Sequence, residues 1–342
     1  MMPRVRADNA LARQEKLMSF STRNIDNLGD TVHVTFPKDK DGFIGRECPV
    51  KKCEGYFKIK PGTGLTGSDL KCHCPYCGHT GKPDSFHTKQ QLKYAESVAE
   101  RMVLEALNQD LKSWEFEKQI SGPIGIRMSM KFTPGALPPV RHYRDPELET
   151  KVICDGCTLA YSIYGVFAYC PDCRAHNSLH ILNRNLELTE RQLALASTLP
   201  DQDLTRHLLE DSLENCVSAF DGFGRETCRV RAAASTDPQG CTAVSFQNLE
   251  RVQKKLYRLF GFDLTNTLSG QDWASATRSF LKRHVISHRA GVVDQQYVDE
   301  SGDTSATVGR RIQLTADEVR QLIANLQQMA TGLLKGLPPP QA

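Results

Sequence analysis

The chain has 342 residues, 43 Lys and Arg against 40 Asp and Glu, and a net charge of +3. That balance excludes a domain whose charge alone announces nucleic-acid binding, and a hydrophobic share of 39% implies modest cores to which metal contributes. No run of ~18 apolar residues suggests a membrane span, and Met1 to Asp30 lacks the apolar core of a signal peptide, so a cytoplasmic, reducing setting is expected.

Residues 1–40 read as a polar lead-in, mobile or partly helical. Residues 41–87 then carry Cys48 and Cys53 as C-x4-C, and Cys74 and Cys77 as C-x2-C after a gap of twenty residues. Four thiolates in two knuckles are what tetrahedral zinc needs, so this stretch reads as a first zinc ribbon. Pro75 and Gly78 in the second knuckle suit a turn whose N–H groups point at sulfur. The insert Pro61 to Ser68 reads as a hairpin tip; no G-K-[ST] follows it, so it is no phosphate loop. Lys51, Lys52, Lys58 and Lys60 crowd beside Tyr56 and Phe57, a combination able to hold phosphate and stack a base.

Residues 88–150 form a helix and β connector. Thr88 and Gln91 make a capping box, and the apolar positions from Leu92 to Leu107 keep helical spacing. Ile124 to Phe132 partly alternates, as a strand does. Residues 151–184 repeat the metal pattern: Cys154 and Cys157, twelve residues, then Cys170 and Cys173. The intervening Ala160 to Tyr169 is aromatic and β-prone, which gives a second ribbon its strands. Two structural Zn2+ ions follow from the eight thiolates. All-thiolate sites leave no position for a catalytic water, and catalysis is expected to use no metal. Cys72, Cys216, Cys228 and Cys241 read as free or buried thiols, and Cys72 as a rival of Cys74 for the first ion. A secreted disulfide framework is the alternative that chain length and the missing export signal disfavour.

Past Asn185 strand signals nearly vanish. Four amphipathic segments follow: from Pro200 with Leu204, Leu208, Cys216 and Phe220 inward; from about Ser245 to Phe260, stopped by Gly261; from about Gln271 to Arg289; and from Thr315, where Glu318 completes a second capping box. Residues 185–338 thus form an all-α four-helix bundle. The whole is an α+β multidomain chain with two β zinc ribbons and a C-terminal bundle.

The third segment is dense in cations. His284 and His288 are four residues apart and share a face, and Arg283 can reach over it. An imidazole gives or takes a proton near neutral pH, and a guanidinium holds a phosphate through parallel hydrogen bonds. Together they suit cleavage of a phosphodiester. At these residues the chain resembles a HEPN domain, a small helical bundle that often acts as an endoribonuclease. Its motif is Arg, four to six residues, then His, here Arg283 and His288 with His284 in the polar slot. Arg174 with His180 and Arg278 with His284 also meet the bare spacing. Gly291 to Tyr297 and Gly309 to Leu314 add to the likeness, which covers about residues 185–337. The resemblance implies a homodimer with facing motifs, an RNA substrate and, loosely, a toxin–antitoxin or antiviral defence role. A non-catalytic adaptor that dimerises through the bundle and binds nucleic acid or protein through its ribbons is the alternative.

Overall fold

The computed structural model describes residues 21–65, 71–120 and 126–340; the first twenty residues of the expected lead-in and Thr66 to Ser68 of the expected hairpin tip lie outside these. In chain order the elements begin with α1 (Arg23–Asp26), β1 (Ile44–Glu47), β2 (Tyr56–Ile59), β3 (Cys72–His73), β4 (Thr80–Gly81) and α2 (Lys89–Ser113). β5 (Phe116–Ile120), β6 (Ile126–Met130), β7 (Thr150–Ile153) and β8 (Ala160–Ile163) follow. The helical region holds α3 (Ser178–Ala196), α4 (Gln202–Arg229), α5 (Pro238–Thr242), α6 (Leu249–Phe260), α7 (Gly270–Arg289), α8 (Gln295–Ser301) and α9 (Ala316–Gly336). None of these helices is long and apolar enough to cross a membrane. The chain divides into two compact units, residues 1–47 with 86–147, and residues 48–85 with 148–342.

The first unit is built on α2. Thr88 and Gln91 close its capping box in both directions, as expected from the sequence. Its packing differs from the expected apolar stripe: Leu92 and Val103 are exposed, while Gln91, Ser97 and Asp110 are buried. Each buried polar group is satisfied, which is what makes its burial tolerable. The Gln91 Nε2 donates to the carbonyl of Gly45 at 2.9 Å. The Asp110 carboxylate accepts from the N–H groups of Asn24 and Ile25, each at 3.0 Å, and from Asn24 Nδ2 at 2.7 Å, which pins α1 to α2. β5 and β6 pair antiparallel from Phe116↔Met130 to Ile120↔Ile126; of the expected strand Ile124 to Phe132, Ile124 and Gly125 lie outside the described residues, β6 ends at Met130, and β5 is its unforeseen partner.

In the second unit β2, β8 and β7 lie side by side in one antiparallel sheet. The helices enclose a large apolar core that includes Leu182, Leu186, Leu213, Phe220, Phe246, Leu256, Phe280 and Leu326, and a smaller cluster is formed by Val285, Val293, Tyr297 and Ile312. α3 was not anticipated: Leu182, Leu186, Leu193 and Ala196 bury one side of it, and it starts inside the stretch assigned to the second ribbon. Leu204, expected inward, is exposed near the start of α4. The ends of the other helices follow the sequence closely. Gly261 stops α6 in the left-handed conformation at φ 67°, and the Thr315–Glu318 capping box starts α9. Lys282 is buried on α7, where its ammonium donates to Glu318 at 2.6 Å and to the Gln313 carbonyl at 2.7 Å.

Where α4 meets the segment before α6, the backbone relies on one glycine. A Cβ on Gly224 would fall 2.4 Å from the buried ring of Phe246. The same spot is fixed by Asp221, which accepts from the Phe246 N–H at 2.5 Å. Gly224→Ala should gain ~1 kcal/mol of helix propensity but lose ~1–3 kcal/mol to overpacking. A lower urea midpoint at unchanged m-value is the expected result, and equal or greater stability would contradict the contact.

Candidate metal centres and candidate active site

Both four-cysteine groups assemble. The Sγ atoms of Cys48, Cys53, Cys74 and Cys77 lie within 4.8 Å of one another, and so do those of Cys154, Cys157, Cys170 and Cys173. The nearest pairs are Cys48–Cys77 at 3.6 Å, Cys53–Cys74 at 3.7 Å, Cys154–Cys173 at 3.4 Å and Cys157–Cys170 at 3.5 Å. A disulfide requires ~2.05 Å, whereas a tetrahedron of Zn–S bonds of ~2.3 Å has edges of about 3.8 Å. The donor set therefore fits zinc and excludes the disulfide framework in this structure. Each group could hold one ion. Cys74, not Cys72, belongs to the first, while Cys72, Cys216, Cys228 and Cys241 are buried thiols outside both.

Every knuckle is made the same way. The residue after its second cysteine is left-handed: Glu54 at φ 44°, Gly78 at 72°, Thr158 at 63° and Arg174 at 62°. In the three C-x2-C knuckles the N–H of the first cysteine donates to the carbonyl five residues on: Cys74 to His79, Cys154 to Leu159 and Cys170 to Ala175. Only one of these four left-handed positions is glycine, so three non-glycine residues are held in a conformation that costs ~1–2 kcal/mol. Packing favours thiolates at some of these sulfurs and not at others. Burial pushes Cys48 up to about 11 and Cys157 up to about 12, whereas at Cys77 and Cys154 burial is outweighed by hydrogen bonds from backbone and neighbouring sulfurs, which hold the thiol below its ordinary value. A bound dication would supply the charge that lets these sulfurs ionise, with release of protons on binding.

The two ribbons are halves of one pseudo-twofold unit. β2 begins three residues after Cys53 and β8 three residues after Cys157. They pair antiparallel with Lys58 opposite Ser162, each five residues beyond its cysteine, and with Phe57↔Ile163 and Ile59↔Tyr161 on either side. The third and fourth cysteines sit in matching Cys-Pro-x-Cys knuckles, and these also exchange bonds. The His73 N–H donates to the Pro171 carbonyl at 2.7 Å, and the Tyr169 N–H to the Pro75 carbonyl at 3.0 Å. Tyr76 spans the pair: its hydroxyl donates to the Tyr56 carbonyl at 2.8 Å and accepts from the Tyr164 N–H at 2.9 Å.

This arrangement divides the nucleic-acid candidates of the first ribbon. Lys51, Lys52 and Lys60 are exposed and Tyr56 is half-buried. Phe57 and Lys58 are buried, because they occupy the centre of the β2–β8 pairing. Phe57 is a core residue and has no face to offer a base, and Lys58 presents no ammonium at the surface.

His284 and His288 are both exposed on α7, with ring centroids 4.7 Å apart. They line a groove of about 610 Å³ together with Arg251, Lys255, Thr277 and Arg283. Arg283 is only 11% exposed and is held by Glu214 of α4, to whose carboxylate its Nε and Nη2 donate at 2.6 Å and 2.5 Å. Ser287 donates to the same carboxylate at 2.7 Å. Burial raises the Glu214 carboxyl, but the bonds from Arg283 and Ser287 outweigh it and hold the group below the usual carboxylate range. One turn earlier on α4, Glu210 pairs with Arg311 at 3.0 Å. Glu210 and Glu214 were missed in the sequence; their four-residue spacing on one helix face was the available signal. α7 ends directly after this cluster, where Ala290 at φ 52° and Gly291 at φ 77° turn left-handed in succession. The other pairs of suitable spacing differ: His180 faces Asp155 at 3.8 Å, and Arg278 has a buried Nε with no hydrogen-bond partner among the described residues.

No protein-family model matches the chain, and no curated protein and no solved structure matches it either.

Two expectations follow for the metal centres. Elemental analysis of the purified protein should return two zinc ions per chain, falling to one in Cys74→Ser, with a lower melting temperature; an unchanged ratio would remove Cys74 as a ligand. Thr158→Gly relieves a β-branched left-handed residue, and after glycine's own entropic cost should stabilise the metal-loaded protein by ~0.5–1 kcal/mol in chemical denaturation.

Proposed function

We propose that the groove beside α7 is a HEPN-type site that cleaves RNA, with the ribbons as target-binding modules. One observation carries this reading: two exposed imidazoles and a guanidinium share the wall of a single groove. One imidazole would take the proton of a ribose 2′-hydroxyl as its oxygen attacks phosphorus. The other would give a proton to the departing 5′-oxygen, so that the P–O5′ bond breaks and a 2′,3′-cyclic phosphate forms. Arg283, whose Nη1 is the nitrogen not engaged by Glu214, would stabilise charge on the phosphoryl oxygens. In the homodimer that the resemblance implies, a second copy would bring a second set of these groups. A toxin or defence role is part of the same proposal and rests on the resemblance alone.

A second reading is favoured by a specific contact. Glu214 already neutralises Arg283 and ties α4 to α7, which is what a structural ion pair does. In that case the bundle is a dimerising adaptor, and the ribbons do the binding.

His288→Ala separates the two, because His288 is exposed and its loss should leave the fold intact. Cleavage of a labelled RNA should fall by about 10²–10⁴-fold, with melting temperature and oligomeric state unchanged. Arg283→Ala should also lose cleavage, but it strands Glu214 and should lower the melting temperature as well. Cleavage should persist in EDTA under conditions in which elemental analysis shows the ribbons still loaded with zinc. Wild-type protein that cuts no RNA, or His288→Ala that cuts as well as wild type, rejects the nuclease.

A further inference from the structure

We infer that the outward face of α6 is a track for single-stranded RNA leading into the groove of His284 and His288; this rests on the nuclease reading for the identity of the polyanion. α6 carries Arg251, Lys254, Lys255 and Arg258 against one carboxylate, Glu250. At 100° per residue the four cations fall within one narrow arc, while Leu249, Val252, Leu256 and Leu259 bury the opposite side. Successive cations four residues apart are separated by about 6 Å along the axis, the scale on which an extended strand presents its phosphates.

Three features separate this face from an ordinary solvated one. First, Arg251, Lys254 and Arg258 have no carboxylate partner among the described residues, and Lys255 meets only the Ala243 carbonyl at 3.0 Å. By contrast, every arginine of α3, α4 and α9 has one, as in Arg191–Glu187, Arg225–Asp221 and Arg320–Asp317. Second, the stripe is continuous with the groove, because Arg251 and Lys255 line it beside His284 and His288. Third, Tyr257 projects from the edge of the stripe beside Lys254 and is 63% exposed. An exposed aromatic ring among unpaired cations is the combination that holds a single strand, since every base offers a face to stack on. An anionic membrane is the poorer fit. A helix that lies on lipid inserts its apolar face, and the apolar face of α6 is spent in the core.

The test is binding of a fluorescent single-stranded RNA to full-length, zinc-loaded protein, read by anisotropy at several salt concentrations. His288→Ala is used as the background, so that the strand stays intact. Replacing Arg251, Lys254, Lys255 and Arg258 by Gln should raise Kd by about tenfold or more and flatten the slope of log affinity against log salt by about 3. Tyr257→Ala alone should weaken binding about fivefold or more with the slope unchanged. Lys254→Gln with Arg258→Gln, both outside the groove, provides a milder variant should the fourfold one melt early. Unchanged affinity and slope in the stripe variants overturn the inference, as does equal binding of polyglutamate or of anionic vesicles. Stripe variants that bind as the background does, beside a wild type that cleaves, remove the track and leave the nuclease. Stripe variants that lose RNA, beside a wild type that cuts nothing, remove the nuclease and leave the track.

Discussion

The second unit depends on how two strands cross. β2 and β8 meet with Lys58 opposite Ser162, and that register leaves Cys53 and Cys157 the same five residues from the centre of the pairing. A slip of one residue would break the buried pairs Phe57↔Ile163 and Ile59↔Tyr161, and with them the reciprocal bonds between His73 and Pro171 and between Tyr169 and Pro75. The knuckles in turn hold the strands. Their turns are strained at Glu54, Thr158 and Arg174, and the sulfur geometry accounts for why that strain persists. The clustering of the sulfurs and the pairing of the strands are therefore a single constraint expressed at two places.

That constraint carries over to the helices. His176, just beyond the last knuckle, is buried against Glu226 of α4 at 3.1 Å, and Arg229 donates to the same carboxylate through two nitrogens. Burial raises the Glu226 carboxyl, but Arg229 and His176 bring it down to about 2. The pairing therefore stabilises fully above the ordinary carboxylate range and is lost only as pH falls towards that value. α4 runs on from here to Glu214 and Glu210, which receive Arg283 and Arg311. One helix thus connects the four-cysteine end of the unit to the face that carries the candidate chemistry.

Much of this was legible in the sequence, for reasons that differ by element. The two four-cysteine groups were legible because zinc demands thiolates at short fixed spacings, and the helix ends of α2, α6 and α9 because caps are local chemistry. The pseudo-symmetry was not, because its signal is thin: Phe57-Lys58-Ile59 and Tyr161-Ser162-Ile163 share only an aromatic and an isoleucine. Spacing between the knuckles also differs, and three of four left-handed turns lack the glycine that would mark them. The burial of Phe57 and Lys58 was misread because an aromatic beside lysines looks alike whether it faces solvent or a partner strand. Glu214 escaped notice because its four-residue spacing from Glu210 marks a shared helix face but not the distant Arg283 that it positions.

The two kinds of closure differ greatly in reach. Cys48 and Cys77 are 29 residues apart and Cys154 and Cys173 are 19, whereas the contact of Leu65 with Asp172 spans 107. Loop entropy rises only slowly with length, but distant pairings are slow to find one another. Each knot can close on its own ion while the chain between them is still searching. Were each group to take up its ion, that closure would precede the shared sheet, and zinc supply during synthesis would govern how long unpaired strand edges stay open to misassociation.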